Sequence, residues 1–119
     1  MPQDEIAPNV LEFVDRYIDQ FLAWDVLVYF HENPDIERKP SGISMDIGRK
    51  TSLILPSLDA LVEKGILARD PDEAGEPTYR YVSSLQFRNS MDEFLAATRD
   101  RATRLAIVSF VLQKETRRI

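Results

Sequence analysis

The chain has 119 residues, 44% of them hydrophobic and 29% charged, and a net charge of −5. That is the composition of a folded domain able to bury its own core, and it argues against both a disordered chain and a broadly basic nucleic-acid binder. Cysteine is absent, which excludes disulfides, thiolate metal sites and thiol nucleophiles and fits a reducing cytoplasm.

The start, MPQDEIAPNV, has neither the basic end nor the apolar run of a signal peptide. Asn9 then offers an N-cap, and Val10, Phe13, Val14, Tyr17 and Ile18 recur at helical spacing, which predicts a first helix over 9–18. Asp19 can cap a second helix, whose stripe is Leu22, Ala23, Val26, Leu27 and Phe30. It should stop at His31-Glu32-Asn33-Pro34, because a residue before proline is pushed out of the helical region. A polar link from Asp35 to Lys39 leads to Pro40, suited to the first position of a third helix carrying Ile43 and Ile47. Gly48 marks a turn, and Arg49 and Lys50 lead to Thr51 or Ser52 as the cap of a fourth helix with Ile54, Leu58, Leu61 and Val62. Pro56 falls after the first turn of that helix, so a late start or a distorted first turn is expected.

Lys64-Gly65 ends the fourth helix, residues 65–69 read as a strand, and 78–82 as its hairpin partner across the acidic, turn-rich loop Asp70 to Pro77. From Leu85 the helical period returns through Phe87, Met91, Phe94, Leu95, Thr98, Ala102 and Leu105, which predicts one long helix over 85–116. Its run from Leu105 to Leu112 is apolar but for Ser109, and falls far short of the roughly 20 residues that span a bilayer. A helix apolar on all sides must be buried on all sides, so a homodimer is expected, with Leu105, Val108, Val111 and Leu112 at its interface.

Residues 43–67, ISMDIGRKTSLILPSLDALVEKGIL, resemble the helix-turn-helix core of bacterial transcriptional regulators of the MarR and ArsR type. The resemblance covers roughly Asp19 to Val82. It implies a mostly α winged helix-turn-helix with a small β-hairpin, in one domain over 1–119: an N-terminal helix (9–18), the winged core (19–82) and a C-terminal helix (85–116). It also implies a regulator that binds double-stranded DNA through its second motif helix. On that reading Arg49, Lys50, Ser52, Ser57, Arg69 and Arg80 are the candidate DNA contacts.

The residues themselves leave a second reading open. Positions expected to face outward on the fourth helix, Ser52, Leu53, Leu55, Pro56, Asp59 and Glu63, include no Arg, Lys, Asn or Gln. Leucine can touch a thymine methyl but makes none of the bidentate contacts that tell bases apart. The wing tip carries Asp70, Asp72, Glu73 and Glu76, which phosphate would repel. Charge is also uneven: residues 1–38 hold nine acids against two bases, while 87–119 hold seven bases against four acids. A protein-interaction module using Leu53, Leu55 and Pro56 is therefore the alternative. His31, the only histidine, reads as a surface residue at a helix end. With no cysteine, no histidine beside a nucleophile and no glycine-rich phosphate loop, neither an enzyme nor a cofactor or metal site is expected.

Overall fold

A computed structural model describes residues 2–117. Among them the elements run α1 Pro8–Tyr17, α2 Phe21–Glu32, β1 Glu37–Arg38, α3 Pro40–Ile47, α4 Thr51–Glu63, β2 Leu67–Asp70, β3 Thr78–Tyr81, α5 Leu85–Ala97 and α6 Arg101–Arg117, preceded by a 3-10 turn at Pro2–Glu5. The chain groups into two compact units. Among the described residues one unit joins 2–24 with 85–117, and the other is Asp25–Ser84. The reason is long-range: α1 meets α5 and α6, and no local pattern announces a pairing between the two ends of a chain.

In the first unit Phe13 lies 5.5 Å from both Phe87 and Phe94, centroid to centroid, and Trp24 meets Phe94 edge-on at 5.1 Å. The helix ends are tied by side chains from other helices. Lys114 Nζ donates to the carbonyls of Val14 (3.2 Å) and Asp15 (2.6 Å), which satisfies the C-terminal end of α1. Glu115 accepts the Phe21 N–H at 2.8 Å at the start of α2. Asn9 is not the cap of α1: the helix opens at Pro8, with Ala7 before it, and the Asn9 amide donates to Glu93 at 2.6 Å instead.

The expected long C-terminal helix is two. Backbone bonding closes at Thr98, Arg99 and Asp100. The Asp100 carboxylate then accepts the Thr103 N–H at 3.0 Å and its hydroxyl at 2.9 Å, capping a new helix. Apolar spacing runs on across this break, so periodicity alone concealed it, while the Asp100–Thr103 pair was the local signal for it.

In the second unit the buried side chains are Val26, Leu27 and Phe30 from α2, Ile43 from α3, Ile54, Leu58 and Leu61 from α4, and Ile66, Leu67, Tyr79 and Tyr81 from the hairpin. Ile47 is half-buried. Gly48 (φ 80°) turns the chain between α3 and α4. Gly65 (φ 77°) ends α4, with Gly65 N–H on the Val62 carbonyl and Ile66 N–H on that of Leu61, the paired bonds of a left-handed glycine terminus. Helix α4 starts at Thr51, with Lys50 before it and no side-chain cap, and not with Thr51 or Ser52 as its cap. Lys50 carbonyl accepts from both Leu53 and Ile54, so the first turn is tightened and Pro56 is carried inside the helix.

Strands β1, β3 and β2 form an antiparallel sheet in that order, with Arg38 opposite Tyr79 and Arg69 opposite Tyr79 on the other side. The two-residue β1 lies in the stretch read as a polar link, too short to show alternation. Helix, strand, helix, turn, helix and hairpin in this order make the mostly α winged helix-turn-helix with a small sheet. No helix among the described residues is long and apolar enough to cross a membrane.

Candidate helix-turn-helix interface

Helix α4 presents a narrow face. Ile54, Ser57, Leu58 and Leu61, spaced at i, i+3, i+4 and i+7, point into the core. Ser57 is therefore only 5% exposed and lies out of reach of a base edge, which removes it from the DNA-contact set. What faces outward is Ser52, Leu53, Pro56, Ala60 and Glu63, with Leu55 half-buried. Leu53 is 55% exposed, and Met45 on α3, which the sequence reading passed over, is 82% exposed.

The arginines of the motif are already engaged. Arg49 lies 3.1 Å from Asp25 of α2, Arg69 is 2.8 Å from Asp59 of α4, and Arg80 is 2.7 Å from Asp70 at the end of β2. Two further pairs escaped the sequence reading. Arg38 spans Gly42 to reach both Asp46 oxygens (3.1 and 3.2 Å), and an added Cβ at Gly42 would sit 2.7 Å from its Nε. Lys39 lies 3.7 Å from Asp72 of the wing loop. Among the described residues no ion pair is recorded for Lys50.

These pairs shape the local electrostatics. The hydrogen bond to Asp46 is the main cause of a raised Arg38 pKa, and that to Asp70 does the same for Arg80. Arg69 is raised through Tyr79 first and Asp59 second. Asp46 is held below the usual carboxylate range by Arg38 and then by Tyr29, whose hydroxyl donates to it at 2.6 Å. Burial and that same bond push the Tyr29 phenol up to about 12.

The acidic loop is tied down as well. Ser41 Oγ at the start of α3 donates to Glu76 at 2.6 Å, and Thr78 Oγ1 donates to Glu37 at 3.1 Å. Residues 25–84 carry eleven acidic and seven basic side chains, an excess of four negative charges. The face is thus an apolar strip on α4, with Met45 exposed on α3, in a unit whose Arg38, Lys39, Arg49, Arg69 and Arg80 each hold a carboxylate of their own. It offers apolar contact within a unit of net negative charge.

On α6, Leu105 and Leu112 are exposed (56% and 54%) and Val108 is half-buried, whereas Val111 is fully buried. Val111 follows Ile107 by one turn on the core side of its own unit, so it is withdrawn from the expected dimer interface.

No protein-family model matches the chain, and no curated protein matches it. Among solved structures it is similar to one described as a possible transcriptional regulator from Methanosarcina mazei Go1. The two share 18% identity over 86% of this chain and 79% of that one, with a TM-score of 0.42. That likeness is too slight to carry a function across.

Proposed function

We propose that this chain is a winged-helix protein of the MarR and ArsR kind whose helix-turn-helix face holds a protein partner in place of DNA. The observation that carries the reading is Asp59. It sits on the helix that would enter the groove, and its Oδ1 takes both the Arg69 guanidinium and the Tyr79 hydroxyl (2.8 and 2.7 Å). The wing arginine is thereby turned onto the protein, and Leu53 and Pro56 are the larger apolar side chains among those that face outward. The fitting partner presents an apolar anchor to Leu53 and Pro56 and a rim of Lys and Arg to the acidic unit, since opposite potentials steer and orient association. Site-specific photocrosslinking from position 53 in cells tests this. The expected result is one protein adduct, stoichiometric with the chain, that Pro56→Asp abolishes and a probe at position 64 does not form.

A second reading, DNA binding by a transcriptional regulator, is favoured by Arg49, Lys50 and the exposed Ser52, which lie beside the first-turn N–H groups of α4 where a phosphate can sit. Binding of random duplex DNA that weakens steeply with salt would establish it in place of the protein reading.

The reading includes self-association of two copies through α6. Ala102, Leu105, Ser109, Leu112 and Thr116 recur every three or four residues along its outward side, small and large alternating about Ser109. Crossed antiparallel at Ser109, Leu105 of one copy meets Leu112 of the other and the reverse, as a twofold contact requires.

A further inference from the structure

We infer that Asp25, Asp59 and Asp70 are specificity determinants that exclude nucleic acid from this winged-helix face. They come from α2, α4 and β2, three different elements, yet each carboxylate lies against one of the arginines that the motif would offer to phosphate: Arg49 at 3.1 Å, Arg69 at 2.8 Å and Arg80 at 2.7 Å. Exposed ion pairs of this kind hold the fold together only weakly. Their consequence for binding is larger. A free arginine gains affinity for a duplex because its phosphate contact releases condensed counterions into solution, which is also why such binding weakens with salt. Here the counter-charge of each arginine is a tethered carboxylate. It stays beside the phosphate when the arginine lets go of it and adds a repulsion in place of the gain.

Each of the three carboxylates is held beside its arginine by the element that carries it. Asp59 is fixed by Tyr79 as well as Arg69, so it cannot swing away from the wing. Asp70 and Arg80 are neighbours on the paired strands β2 and β3, and Asp25 lies on α2 opposite the turn that carries Arg49. Arg38 with Asp46 and Lys39 with Asp72 repeat the arrangement (3.1 and 3.7 Å). Five basic positions of this unit, Arg38, Lys39, Arg49, Arg69 and Arg80, are therefore present and internally neutralised, while Lys50 stands outside these pairs. Removing the charge of the three carboxylates, while keeping their shape, should return the arginines to phosphate.

The inference rests on the face not taking DNA, and the test separates the two. Fluorescence anisotropy is read on a random 20-base-pair duplex at low salt with three proteins. They are the unchanged chain, the triple variant Asp25→Asn with Asp59→Asn and Asp70→Asn, and a control of equal charge gain, Glu12→Gln with Glu32→Gln and Asp35→Asn, at carboxylates for which no ion pair is recorded. Asparagine still accepts from Tyr79 and Arg69, and circular dichroism checks that the triple variant is folded. Should it not be, Asp59→Asn alone and the pair Asp25→Asn with Asp70→Asn carry the same comparison. The expected outcome is no binding by the unchanged chain or the control. The triple variant should bind at least tenfold more tightly than either, with a log–log salt slope reaching about −2.7 for three phosphate contacts. A folded variant that stays unable to bind overturns the inference and leaves the protein-partner reading standing. Equal binding by the control reduces the effect to net charge and overturns it too. Binding by the unchanged chain overturns the inference and the partner reading together.

Discussion

Asp59 on α4 accepts the hydroxyl of Tyr79 on β3 at 2.7 Å, and Tyr79 is only 1% exposed. A phenol buried to that depth needs a partner for its proton, and the partner here is a carboxylate on the helix that the wing flanks. The bond does two jobs. It docks the hairpin on α4, and it keeps Asp59 where Arg69 also reaches it.

Tyr79→Phe should therefore destabilise the protein by about 1 kcal/mol, the ordinary net worth of one hydrogen bond. Asp59→Ala should cost more, about 1–3 kcal/mol, because it strands the hydroxyl without a partner. Asp59→Asn should stay close to the unchanged chain. Urea unfolding of the three variants checks the order.

Tyr29 provides a pH signature. Its folded-state pKa is raised from about 10 to about 12, by burial first and by Asp46 second. The folded state thus keeps a proton that the unfolded state gives up. The stability this contributes is fully present below pH 10 and is lost as the pH rises towards 12. The thermal midpoint of the unchanged chain should fall across that window, and it should fall less steeply in Tyr29→Phe. Equal slopes would mean that Tyr29 titrates alike in both states.

The break between α5 and α6 depends on Asp100, whose carboxyl is held below its usual range by the Thr103 N–H and then by the Thr103 hydroxyl. A lowered carboxylate stabilises above its unfolded pKa, and that contribution is lost as the pH falls through the folded value. Asp100→Ala should lower the melting temperature by a few degrees at neutral pH and converge with the unchanged chain in acid. Asp100→Ser, which still caps, should recover most of the loss.

For the α6 contact, Leu105→Lys with Leu112→Lys should turn a dimer into a monomer in sedimentation velocity with no loss of helix content, since both side chains are exposed. Val111→Ala, on the core side, should lower stability by about 0.5–3 kcal/mol, as core truncations do, and leave the association state unchanged. A monomer of the unchanged chain at micromolar concentration would remove self-association from the reading.

Much of this protein was decided within reach of each residue. Proline at position 40 starts α3, the stripe of Ile54, Leu58 and Leu61 makes α4 amphipathic, and glycines 48 and 65 turn the chain where only a left-handed residue serves. Propensity, period and turn chemistry act over a few residues, so the helix-turn-helix and its hairpin were legible, as were the exposed Leu53 and Pro56. Tertiary structure decided what pairs across distance. Arg49, Arg69 and Arg80 read as phosphate contacts because the sequence displays their charge and hides their partners. Asp25, Asp59 and Asp70 meet them only once α2, α4 and the strands are placed. Ser57 and Val111 looked available because a residue type does not state its angle on a helix, and both turn to the core beside Ile54 and Ile107. The two-unit grouping came last, because hydrophobic burial is non-directional and only the closed chain shows that its two ends share a core.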